Sequence, residues 1–118
     1  MGLPKPLRLK HWQDFQATYQ QGKRYRGMYL LLRVLPDPRL NQSRFGIAVS
    51  QKVSKKAVVR NRIKRQLRAI LLSQRPNLAG GFNVIVVVLP SAVLCKYEHF
   101  LRELEQLFKQ AGIMNHGH

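Results

Sequence analysis

KVSKKAVVRNRIKRQLR, running from Lys52 to Arg68, carries eight Lys/Arg and no Asp or Glu. On a helix of about 3.6 residues per turn, Val59, Ile63, Leu67, Ile70 and Leu71 fall on one side at i+3 and i+4 spacings, the stripe of a helix packed on a core. Lys64, Arg65 and Arg68 then point away from it. Arg60 and Arg62 border the stripe on opposite sides, where their stems can lie along the body while the guanidinium groups reach outward. The stretch therefore predicts one helix with a core face and a cationic face. Ser54 is its expected cap, with Ser50 as an alternative. Pro76 ends it at about Ser73.

On either side of this helix the pattern is that of strands. Upstream, Arg44 to Ser50 (RFGIAVS) alternates Phe45, Ile47 and Val49 with the period of a strand, and Met28 to Leu35 (MYLLLRVL) is a β-rich run ended by Pro36-Asp37-Pro38. The two are expected to pair as a hairpin across a polar loop, Arg39 to Ser43. Lys23 to Gly27 is a basic connector with room for a short strand. Downstream, Asn77 to Gly81 turns into Phe82 to Leu89 (FNVIVVVL), whose β-branched run suits a central strand covered on both faces and stopped by Pro90.

Helices close both ends. Leu9, Trp12, Phe15 and Tyr19 recur at spacings of three and four, predicting a helix from Lys10 to Gln21 closed by Gly22, after an arm marked by Pro4 and Pro6. From Val93 to Ala111, Tyr97, Phe100, Leu101, Leu104, Leu107 and Phe108 form one stripe with Gly112 at its end. The expected architecture is α+β: a single-domain sandwich, residues 1–118, of a small, mostly antiparallel sheet with three helices. Residues 1–7 are expected as a flexible arm and 112–118 as a flexible tail.

Composition narrows the function. With 118 residues and 45% hydrophobic content, the chain can build one ordinary core. Its 21 Lys+Arg against 5 Asp+Glu give +16, a surplus that repels itself unless a polyanion offsets it. The acids are Asp14, Asp37, Glu98, Glu103 and Glu105, so Pro38 to Tyr97 holds none. Cys95 is alone and reads as a small buried hydrophobe. The start of the chain lacks the apolar segment of a signal peptide, and no apolar run approaches the roughly 18 residues of a membrane span; a soluble, cytoplasmic protein is expected. Met1-Gly2 lacks the Ser/Thr of a myristoylation signal, and Asn115 to His118 is too short and irregular for a metal site.

The chain carries no recognisable catalytic set. Glu103 and Glu105 are two apart and face different ways on a helix, and Asp14 and Asp37 belong to other segments, so carboxylates do not converge on a metal. His11, His99, His116 and His118 are equally scattered. No Gly-rich phosphate loop, zinc spacing or nucleophile motif is present, and no small-molecule cofactor is implied. Any catalytic groups would come from a partner. The basic helix is different, since solvated faces normally mix acids with bases and this one does not. Its arginines supply planar forks for phosphates, Lys64 a point charge, and Asn61 a donor and acceptor for base or sugar edges. Charge leaves RNA and DNA equally open. Phe15 and Tyr19 share one face and read either as core or as an exposed platform on which single-stranded bases stack.

Arg60-Asn61-Arg62-Ile63-Lys64-Arg65, following Ser50-Gln51-Lys52, resembles the signature of the bacterial ribonuclease P protein subunit. Arg8-Leu9-Lys10 and Asp14-Phe15 resemble that family's opening helix, and the likeness extends from Leu7 to Ala111. The resemblance implies a fold like the second domain of ribosomal protein S5, with a left-handed βαβ crossover around the basic helix where general packing rules expect a right-handed one. It implies a protein that joins a large catalytic RNA, whose bound Mg²⁺ drives removal of the 5′ leader from precursor tRNA. Lys52, Lys56, Arg60, Asn61, Arg62, Lys64, Arg65 and Arg68 would contact that RNA or phosphates near the active centre. A cleft between the first helix and the sheet would hold the leader, lined by Phe15, Tyr19, Tyr29, Leu31, Arg33 and Ser50. Gln51 departs from the pattern where a second lysine is frequent, and Tyr19 where phenylalanine is. The competing readings are a structural RNA-binding protein, such as a ribosomal component, and a DNA-binding helix module.

Overall fold

A computed structural model of the chain describes residues 3–114. Its elements are helix α1 (Trp12–Gln21), strands β1 (Lys23–Arg26), β2 (Leu30–Pro36) and β3 (Arg44–Ala48), helix α2 (Ala57–Gln74), strand β4 (Phe82–Val88) and helix α3 (Tyr97–Ala111). The sheet order is β1-β2-β4-β3. β1–β2 and β2–β4 are antiparallel, while β3 and β4 run parallel and are joined through α2.

The expected hairpin between the second and third strands does not form, because β4 lies between them. Val84, Ile85 and Val86 are fully buried, so β4 needs both faces covered and both edges paired, and the centre of the sheet supplies both. The partner of β2 on its other edge is the short basic strand β1, reached through a tight turn in which the Gly27 N–H donates to the Leu30 carbonyl at 2.7 Å.

Alternation sorts the two faces of the sheet. Leu30, Leu32 and Val34 of β2, Phe45 of β3 and Val84, Val86 and Val88 of β4 meet the stripes of α2 (Ile63, Leu67, Ile70, Leu71) and α3 (Phe100, Leu104, Leu107, Phe108). α1 packs on β2 and β4 from the opposite face, over Ile85.

Several boundaries move for local reasons. α2 starts at Ala57 with Lys56 as its cap residue, not Ser54; the Ser54 hydroxyl instead accepts the Lys56 N–H at 3.2 Å in the turn before the helix. Pro90 to Leu94 form a 3-10 turn, so α3 begins at Tyr97 rather than Val93. It ends at Gly112, whose φ of 72° is the left-handed cap that glycine adopts readily. In the segment expected as a flexible arm, Leu3 is buried while Pro4, Lys5 and Pro6 are exposed. Leu7 is 2% exposed, and the Leu9 N–H donates to the Phe45 carbonyl at 3.0 Å, adding the arm to the edge of β3. At the other end Ile113 is buried and Met114 bridges to Leu78. Met1 and Gly2, and Asn115 to His118 with the two terminal histidines, lie outside the described residues.

The hairpin turn is fixed by a residue that sequence patterning passed over. Glu103 of α3 is buried, and its carboxylate accepts the Met28, Tyr29 and Leu30 N–H groups at 3.0, 2.7 and 2.6 Å. A Cβ at position 27 would lie 2.5 Å from the Glu103 carboxyl carbon, so the turn needs Gly27. Cys95 is buried, and burial, with a further push from the Glu103 charge, raises its thiol pKa.

Candidate nucleic-acid interface

The cationic face of α2 stands open. Asn61, Arg62 and Arg65 are exposed, as are Lys52 and Lys56 in the loop before the helix. Lys64 and Arg68 are half-buried and lean over a groove of about 220 Å³ bounded by Arg8, Leu9, Phe45, Gly46 and Ile47. Arg8 was not among the expected contacts; its signal was its place just ahead of Leu9, whose pairing with β3 carries it to the groove. Arg60 and Arg62 are partly engaged within the chain. The Arg60 Nη1 donates to the Ser54 carbonyl at 2.8 Å and the Arg62 Nη2 to the Val93 carbonyl at 3.3 Å, so each spends one of its donors on backbone. Among the described residues, the ion pairs involve Arg39 and Arg44 only, leaving the Lys52–Arg68 cations without a carboxylate.

On the other side of the sheet, α1 buries only Thr18. Its aromatics are therefore not core in the ordinary sense. The Phe15 ring is half-buried over Gly46, where an added Cβ would come within 2.9 Å of it. Tyr19 is 44% exposed, with the Arg33 guanidinium 5.1 Å from its ring centroid. A cavity of about 480 Å³ follows the same face of the helix past Leu9, Lys10, Gln16 and Gln20 to Trp12, which is 70% exposed. Trp12 belongs to the aromatic periodicity that defined the helix, but periodicity alone does not say that the ring stands in solvent.

The remaining cleft residues divide. Leu31 and Arg33 have the strand parity opposite to Leu30, Leu32 and Val34, which puts them on the α1 face. Tyr29 is not on that face. It precedes β2, its N–H is held by Glu103, and its ring meets His99 of α3 edge-on at 6.1 Å between centroids. Ser50 lies two residues past β3, with its hydroxyl accepting the Lys52 N–H at 3.2 Å; it belongs to the loop leading to α2.

The seat of α1 is polar. Arg44 of β3 reaches the Asp14 carboxylate at 3.2 Å and the Asn83 side-chain oxygen at 3.1 Å, with Asp37 at 3.9 Å. Asp37 is also gripped by Arg39 through Nε and Nη2 at 2.9 and 2.8 Å. The Arg39 hydrogen bond is the main reason its carboxyl pKa falls to about 2. Three of the five acids are thus engaged in salt bridges or backbone clamps, and among the described residues no three His, Cys, Asp or Glu side chains are grouped to hold a metal ion. The described acids therefore do not converge on a Mg²⁺ centre.

A family model described as Ribonuclease P matches residues 3–112. The ribonuclease P protein component of Synechocystis sp. is 65% identical over 118 residues, covering 100% of this chain and 95% of that protein. Its counterpart in Microcystis aeruginosa is 55% identical over 121 residues, covering 100% of both. Among solved structures, the RNase P protein of Staphylococcus aureus is similar at a TM-score of 0.81 and 28% identity, over 98% of this chain and 97% of that one. The Thermotoga maritima protein bound to 1-(4-fluorophenyl)-2-thiourea gives 0.79 and 26%, over 87% and 98%. With its basic helix, its aromatic trough and these relatives, the chain belongs to the ribonuclease P protein family.

Proposed function

We propose that the α2 face docks on the catalytic RNA of ribonuclease P while the trough beside α1 holds the single-stranded 5′ leader of precursor tRNA. Lys52, Lys56, Arg62, Lys64, Arg65 and Arg68, with Asn61 and Arg60, supply phosphate and sugar contacts on the first surface; Phe15, Tyr19, Leu31 and Arg33 line the second. Hydrolysis belongs to the RNA and to Mg²⁺ that the RNA holds, so the protein acts by binding and positioning. The setting is the cytoplasm; no helix among the described residues is long and apolar enough to cross a membrane.

One observation carries this reading: the two surfaces meet at β3. Gly46 lies under the Phe15 ring and also borders the groove beneath Lys64 and Arg68, and Leu9 lines both cavities. A leader stacked on α1 would run directly into the RNA docked on α2. Reconstitution tests the proposal. Added to ribonuclease P RNA at a Mg²⁺ concentration too low for the RNA alone, the protein should restore 5′ cleavage of precursor tRNA. RNA binding without any rescue of cleavage would overturn it in favour of a structural RNA-binding role.

A further inference from the structure

The outer edge of the sheet holds a charge arrangement that folding does not explain. In the β1–β2 register Arg24 stands directly opposite Arg33, and Arg26 opposite Leu31. Opposite residues of an antiparallel pair share a face, so Arg24 and Arg26 project on the same side as Arg33, the side of α1 and the trough. Lys23 and Tyr25 take the other face, with the Lys23 amine 5.6 Å from the Tyr25 ring. Like charges placed directly opposite one another destabilise a sheet. No acid relieves these, since none of the three arginines belongs to an ion pair among the described residues and Asp14, the acid on α1, is taken by Arg44. Arg33 also keeps a buried Nε without a hydrogen-bond partner; it is held by the Tyr19 ring rather than by an acceptor.

β1 is held firmly in this register. At one end Gly22 lets the close of α1 abut β2, where an added Cβ would lie 2.4 Å from the Thr18 carbonyl; at the other, Glu103 clamps the turn. A local rule broken on a rigid support marks a functional surface.

We propose that Arg24, Arg26 and Arg33 form a second phosphate lane, which grips the backbone of the leader after it has passed the α1 rings and carries it off the sheet over β1. The inference rests on the leader reading above and extends it. With strands about 4.8 Å apart, β1 lies roughly 14 Å from β3, so the lane serves nucleotides farther from the cleavage site than those on Phe15. The exposed guanidiniums of Arg24 and Arg26, beside the half-buried one of Arg33, suit a phosphodiester backbone and read no base, so the lane should reward leader length rather than leader sequence.

The test measures the Kd of the reconstituted ribonucleoprotein for precursor tRNA with a short leader, reaching only the α1 rings, and a long one extending past β1. Wild type should bind the long leader more tightly. In Arg24→Gln/Arg26→Gln that gain should shrink, and the log-log salt slope for the long leader should fall by about 1.4, two single-strand contacts at about 0.7 each. Arg24→Lys/Arg26→Lys should keep most of the slope, which separates lost charge from a disturbed edge strand. A Gln variant that keeps the full gain would overturn the lane. So would an equal loss for short leader, long leader and mature tRNA, which would assign the arginines to general RNA docking. A wild type that gains nothing from the longer leader would overturn the lane alone, whereas one that binds the short-leader precursor no better than mature tRNA would overturn the leader reading itself, and the lane with it.

Discussion

Three backbone N–H groups converge on the Glu103 carboxylate, and the turn they belong to sets the register of β1 against β2. Removing the carboxylate leaves buried or half-buried donors unpaired, so Glu103→Ala should lower stability by about 3 kcal/mol, with Glu103→Gln costing less because it keeps one acceptor oxygen. Thermal unfolding of the two variants checks the order. The signal was present in the sequence: position 103 lies within the apolar arc of Phe100, Leu104 and Leu107, and a lone acid there asks for buried donors. Its partners were not legible, because they lie more than seventy residues away. Asp37 makes a second residue-scale prediction. Its carboxyl falls from the ordinary 3.8 to about 2, chiefly through the Arg39 hydrogen bond. A pKa lowered by folding contributes stability above the unfolded value and loses it as pH falls through that interval. Acid titration of stability should therefore be shallower in Asp37→Asn than in wild type.

At the scale of elements, α2 and α3 were legible because period 3.6 is a local property, and the stripe from Val59 to Leu71 faces the core as the sequence indicated. The sheet order was not. Strand identity follows from alternation, but which strand lies beside which depends on the burial needs of β4, and Phe82 to Val88 displaced the hairpin that proximity favoured. Helix α2 also separates two kinds of arginine. Arg65 is exposed and unengaged by any carboxylate, so Arg65→Ala should leave the fold intact and reduce the salt slope of RNA binding by about 0.7 to 0.9, as for one lost phosphate. Arg60 also ties the Ser54 carbonyl to the helix start, so Arg60→Ala should weaken RNA binding and lower the melting temperature together. Filter binding across a salt series, beside thermal melts, distinguishes the two. An unchanged slope in Arg65→Ala would reject its phosphate role.

For the whole molecule, the charge of +16 is a sequence property, but its division between two surfaces is a property of the fold. α1 and α2 cover opposite faces of one sheet, and β3 brings their grooves to a common border at Gly46. On the proposed function, one surface holds the RNA subunit and the other the leader. The most direct measurement is the ratio of affinities for precursor and mature tRNA in the reconstituted ribonucleoprotein, compared between wild type and Phe15→Ala/Tyr19→Ala, with binding to the RNA subunit measured alongside. Each lost stacking contact costs about 1 to 3 kcal/mol, so the double variant should lose most of its preference for precursor over mature tRNA while still joining the RNA subunit. Equal losses for the two tRNAs, or an undiminished preference for the precursor, would contradict the account.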